Sequence, residues 1–159
     1  TAANFTLATH KMAMESKEPI VLLISSERGS LDRGMSIIQA IRQAQRQGCS
    51  YIGDVRGVAM SMAFFILQAT NVRRARRDDV LMVHGATGTQ HGDIKDQEAE
   101  IALTKARTSK LAHFLAERNT STDEKYHTHE YWSQLLNDNH PTYLFGDEAL
   151  QQGLLDEVL

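Results

Sequence analysis

Two residues in this chain have the types and the setting of an acyl-transfer site. Ser61 sits in Gly57-Val58-Ala59-Met60-Ser61-Met62-Ala63, where a short strand runs into an apolar helix. A serine among small residues at such a turn presents its hydroxyl. The first N–H groups of the helix lack intrahelical acceptors and can hold an oxyanion. His84 closes the next apolar run, Val80-Leu81-Met82-Val83, so an imidazole base falls at the end of a neighbouring strand. Serine is equally an ordinary helix N-cap, and these two features alone leave that reading open.

Other chemistries have less behind them. His127-Thr128-His129 invites a metal, but residues two apart on a helix point in different directions, unlike an i, i+4 chelating pair, and no metal or other cofactor is expected. Arg73, Arg74, Arg76 and Arg77 come without a glycine-rich phosphate cradle and read as a solvated connection or an oligomer contact. Trp132, Tyr126 and Tyr131 read as core or interface, since no basic groove accompanies them.

The chain has 159 residues, enough for one domain with one sizeable core, and a formal net charge of −3. That charge supplies no basic field for nucleic acid or an anionic membrane. Cys49 is the sole cysteine, which excludes a disulfide framework and a cysteine metal cluster, and reads as a small buried filler. No apolar run approaches the ~18 residues of a membrane span, and no signal-peptide pattern opens the chain. A cytoplasmic location is expected.

The elements that must position Ser61 and His84 follow from periodicity. Asn4 to Met14 carries a weak helical pattern with Phe5, Leu7, Ala8 and Met12 on its less polar face. After Pro19, Ile20-Val21-Leu22-Leu23-Ile24 reads as a parallel strand buried on both faces. A helix with Leu31, Met35, Ile38 and Ile41 on one stripe stops at Gly48. A strand spans Tyr51 to Arg56, in which Asp54 must be paired or lie at an edge or interface. A helix apolar nearly all round runs from Met60 to Ala69. Gly85 to Gly92 is glycine-rich and extended or looped, and its glycines permit a peptide to lie alongside. From Asp93 to Arg118 a long helix is polar in its first half and packs only through Leu111, Phe114 and Leu115. Ser121-Thr122-Asp123-Glu124 has the form of a capping box for a helix to about Leu136. A short helix around Asp147 to Gln152 ends at Gly153.

Taken together, Ser25-Ser26-Glu27-Arg28-Gly29-Ser30, Gly57-x-Ala59-x-Ser61-Met62, Leu81-Met82-Val83-His84, Gln90-x-Gly92-Asp93-Ile94 and Glu148-Ala149-x-x-x-Gly153-Leu154-x-Asp156 resemble, in order and spacing, the ClpP family of caseinolytic serine peptidases. The resemblance covers nearly the whole chain. It implies an α/β fold, a ClpP/crotonase-like spiral of βαβ units in a single domain over residues 1–159, with a protruding handle helix in a region of about 85–118. It implies a homo-oligomer of two stacked heptameric rings, a tetradecamer enclosing a chamber, that cleaves short or unfolded peptides. By motif match Ser61 would be the nucleophile, His84 the general base, and the N–H groups of Gly29 and Met62 the oxyanion hole.

This sequence departs from the family pattern in three places. The first loop of the family reads S-P-G-G-S, whereas Ser26-Glu27-Arg28-Gly29-Ser30 lacks the proline and the first glycine. Counting back from Glu148-Ala149 puts Pro141 where the family has its triad aspartate, leaving Asp138, Asn139 and His140 as the nearby candidates. The chain also begins near the family's first helix, without the segment that builds the axial loops, which weakens the implied partnership with an AAA+ unfoldase. Two other readings stand beside the peptidase: a catalytically impaired structural subunit of a mixed ring, and a crotonase-like acyl-CoA enzyme.

Overall fold

The computed structural model describes residues 18–87, 93–138 and 140–159, together with Asn4, Phe5, Ala8 and Met12. Those four are assigned helical, and the rest of the expected N-terminal helix lies outside the described residues. Past Pro19 the branched run forms β1 (Ile20–Ser26), and the stripe of Leu31, Met35, Ile38 and Ile41 winds α1 (Leu31–Arg46). α1 ends before Gly48, whose φ of 91° only glycine adopts freely. β2 (Tyr51–Met60) then leads through a one-residue turn into α2 (Met62–Gln68). β3 (Val72–Ala75), β4 (Val80–Val83), the long α3 (Ile94–Arg118), α4 (His129–Asn137), β5 (Thr142–Phe145), α5 (Gly146–Gln151) and β6 (Glu157–Val158) complete the described elements.

One sheet collects the six strands in the order β5-β4-β2-β3-β6, with β1 paired to β2 as well. All pairs are parallel except β4 with β5. β2 holds the sheet together by splitting its partners along its length. Ile52 to Asp54 pair with β3, and Val58 to Met60 pair with β4. The pattern stops at Arg56, but the strand continues through Gly57, at φ 87°, because β4 offers its second half a ladder. The helix expected from Met60 consequently starts at Met62.

The core is contiguous, with α1, α2 and the second half of α3 packed around the sheet. In α3 the buried residues begin only at Thr108, so among the described residues the polar first half buries none of its own side chains. β1 departs from expectation. Ile24 is buried, but Val21 and Leu23 are 47% and 60% exposed, so the run is covered on one face only. β1 pairs with β2 alone, and among the described residues no element covers its outer face.

The predicted continuous helix from Ser121 is broken. Glu124–His127 forms a single 3-10 turn capped by Asp123, and Thr128 caps α4 through the Tyr131 N–H. Ser121 instead accepts from the Asp123 N–H within a local turn. Trp132 is fully buried, with Tyr126 and Tyr131 packed on it.

The arginine run is also not simply solvated. Strand alternation turns Arg73 inward, where it is wholly buried. Its guanidinium donates to Asp156 at 2.6 and 3.0 Å, to Gln68 Oε1 at 2.8 Å, to Thr120 Oγ1 at 3.0 Å and to the Arg118 and Gly153 carbonyls. This lock is the structural content of the terminal Gly153-Leu154-x-Asp156 motif. Burial pushes the Asp156 carboxyl up, but the hydrogen bonds and charge of Arg73, with Arg118 adding, outweigh it and hold the group below its ordinary value. Arg118 is lowered by burial first and by Arg73 second, with Asp156 opposing. Asp54, almost fully buried in β2, takes the first of its three expected solutions and is paired, with Arg56, Arg74 and Arg76 at 3.1 to 3.4 Å.

Candidate active site

Strand register brings the two sequence-predicted residues together. β2 and β4 run parallel with Met60 opposite Met82, so both strands release the chain at their carboxyl ends, where open α/β sheets hold ligands. Ser61 is the first residue past β2 and His84 the first past β4. The Ser61 N–H donates to the Met82 carbonyl at 2.9 Å and pins the turn to β4. His84 Nε2 lies 2.9 Å from Ser61 Oγ, within the range for proton transfer.

Ser61 makes no side-chain cap to α2, so its oxygen faces the imidazole rather than serving the helix. Its backbone is at φ 55° and ψ −124°, and it is the one non-glycine residue at positive φ among the described residues. Such a conformation costs about 1–3 kcal/mol and persists only where the surroundings impose it. Here they are the Met82 carbonyl on one side and the start of α2 on the other.

The loop after β1 reaches the same end, because Ser26 pairs with Ala59. Gly29 packs on the first turn of α2 so closely that a Cβ there would lie 2.7 Å from Met62 Cβ. A Cβ on Gly34 would collide with the same side chain, so the loop after β1 and the start of α1 each meet α2 through a glycine. Gly29, Ser61, Met62, His84, Leu31 and Phe65 share a cleft of about 190 Å³. The Met62 N–H is in the first turn of α2, where no intrahelical acceptor exists.

The position beside His84 that the resemblance assigns to an acid is occupied differently here. β4 and β5 are antiparallel with Val83 opposite Thr142. Continuing that register by one residue puts position 141 directly across from His84, and side chains of such a pair point to the same face. The residue there is Pro141, which has no acid to offer. Asp138 and His140 line a cleft of about 490 Å³ with His84, Pro141 and Lys105. Among the described residues no hydrogen bond joins either of them to His84, and Asn139 lies outside the described residues. Gly85 is wedged against α4, where a Cβ would meet the Leu136 carbonyl, and the Ala86 N–H donates to Thr108 Oγ1 at 3.2 Å. Residues 88–92 of the glycine-rich segment lie outside the described residues.

The model of the family described as Clp protease matches residues 6–159. This chain belongs to the Clp protease family. A relative from Synechococcus sp. (strain CC9902), the ATP-dependent Clp protease proteolytic subunit 3, is 28% identical, over 91% of this chain and 68% of its own length. The mixed sheet with its flanking helices accordingly represents a ClpP-like fold, and the Clp family is one of proteases.

Pattern reading missed the residues that hold the site from behind. The Met82 carbonyl and Thr108 Oγ1 fix the Ser61 turn and the chain after His84. A backbone acceptor leaves no trace in sequence. Thr108 had one signal, as a small residue on α3 three positions ahead of Leu111, where the apolar stripe begins.

Proposed function

We propose that this protein is a serine endopeptidase of the ClpP type, cutting short or unfolded peptides through a Ser61–His84 acyl-enzyme mechanism. His84 Nε2 takes the proton of Ser61 Oγ, the alkoxide attacks the peptide carbonyl, and the protonated imidazole returns the proton to the leaving amine. Water then hydrolyses the acyl-enzyme by the same route. The N–H groups of Gly29 and Met62 stabilise the oxyanion, a donor pair in which each member is worth about 2.7–4 kcal/mol. Asp138 is the acid available to the imidazole, in a site whose usual acid position is a proline.

The single observation behind this reading is the 2.9 Å contact of His84 Nε2 with an uncapped, backbone-strained Ser61. The crotonase-like reading leaves both residues without work. The polar first half of α3 supports a handle within a single domain over 1–159, interleaving between two stacked rings. An activated fluorophosphonate tests the chemistry: it should label Ser61 in the native protein, and Ser61→Ala should abolish labelling. Assembly with no labelling and no peptide turnover would instead mark a structural subunit.

A further inference from the structure

We propose that the cleft between α1 and α3 is a substrate subsite that takes a side chain with an apolar stem and an acidic tip, glutamate first, and excludes lysine and arginine. This rests on the peptidase reading. The cleft holds about 340 Å³, enough for one large side chain. Its floor is Leu31, Ile38, Leu111 and Phe114. Leu31 and Leu111 also line the cleft around Ser61 and His84, so the two clefts adjoin across these side chains. Leu31 stands two residues from Gly29. A peptide whose carbonyl meets the Gly29 N–H therefore passes a neighbouring side chain, about 3.4 Å further along, towards this cleft.

Charge decides what the cleft accepts. Its cations are Arg42, Arg107 and Lys110, and its acids are Asp32 and Glu117. Arg107 is engaged with Asp32 at 2.7 Å. Arg42 lies 4.7 Å over the Phe114 ring, a contact that holds the guanidinium at the floor without neutralising it. Among the described residues neither Arg42 nor Lys110 forms an ion pair, so two cations face one uncommitted acid. A glutamate can lay its methylenes on Leu111 and Phe114 with its carboxylate between the two cations. A lysine or arginine brings a third cation to the same place.

The test measures binding without turnover. Ser61→Ala protein is titrated by fluorescence anisotropy with matched peptides carrying Glu, Gln or Lys at each position in turn. At one position Glu should bind about fivefold tighter than Lys at low salt, with the preference shrinking as salt screens it. Arg42→Glu with Lys110→Glu should invert the order, and Arg42→Gln with Lys110→Gln should erase it should the reversal fail to fold. Charge-blind binding at every position, an order unchanged in both double variants, or no peptide binding at all overturns the subsite. Failure of fluorophosphonate to label the native protein bears on the peptidase reading separately, because this measurement needs no chemistry.

Discussion

On the serine-peptidase reading, replacing Pro141 by aspartate should strengthen the site. The β4–β5 register stops at Val83 opposite Thr142, and its continuation sets residue 141 across from His84. Residues directly opposite in an antiparallel pair have Cα atoms about 4.5–5.5 Å apart. Met82 and Tyr143 form the preceding pair on that face, so the carboxylate introduced by Pro141→Asp would project beside the imidazole and could accept its Nδ1–H. Loss of such an acid from a complete triad lowers kcat by about 10⁴, because it fixes the histidine tautomer and stabilises the imidazolium. Pro141→Asp should therefore raise the rate of fluorophosphonate labelling and of peptide turnover by about 10² to 10⁴. Pro141→Asn, which orients the ring without charge, should gain less, and Pro141→Ala nothing. Releasing the proline costs only about 0.4–1 kcal/mol through the unfolded chain, so each variant should remain folded. If Pro141→Asp keeps the parent's mass and melting profile and is labelled no faster, the register argument is wrong, or another group already performs the acid's role. Asp138→Asn in the parent separates those two: a large loss identifies Asp138 as that group.

Three further outcomes follow from the geometry. Ser61→Gly should melt above Ser61→Ala, because relief of about 1–3 kcal/mol of backbone strain exceeds the added freedom of an unfolded glycine, about 0.4–1 kcal/mol. The net of about 1 kcal/mol corresponds to about 2–4 °C by differential scanning at matched concentration, and a glycine variant melting at or below the alanine one rejects the strain. Asp156→Asn strands the Arg73 charge; since the Asp156 side chain is still 27% exposed, the lower end of the usual penalty applies, about 3 kcal/mol or about 6–12 °C. Because the Asp156 carboxyl is held below its ordinary value, its contribution is complete above about pH 4 and fades as pH falls through the lower folded value. The gap between parent and Asp156→Asn should then close in melts taken towards pH 2. Gly29→Ala, whose Cβ would press on Met62 Cβ at 2.7 Å, should displace the loop and cut the labelling rate by about 10²-fold or more, with Ser61 and His84 unchanged.

The approach of Ser61 to His84, and that Asp54 must be paired or lie at an edge or interface, were legible because each depends on local pattern: an apolar run, its end, and one charge inside it. Arg73 was not. Four arginines in five residues look solvated, and the inward turn of one of them is meaningful only with Asp156, far along the chain. β5 was equally hidden, since Thr142–Phe145 is four residues long and exposes Tyr143 and Phe145. The exposed face of β1 shows the limit of hydrophobicity as a guide, because Val21 and Leu23 have the composition of buried positions. The break at Thr128 came from two competing caps, Asp123 and Thr128, where the pattern offered Ser121.

The short helix behind Ser61 is held at both ends. Its front abuts Gly29 and Gly34 through Met62. At its rear, the Gln68 side chain is gripped by Arg73 and the Gln68 carbonyl by Arg118, the last residue of the long helix. With about 1.5 Å of rise per residue, this is a beam of about 10 Å, clamped at either end. The Ser61 hydroxyl is thus aimed by a rigid strut whose far bearing is the foot of α3, and any tilt of that foot must either be resisted by the strut or change where that hydroxyl points.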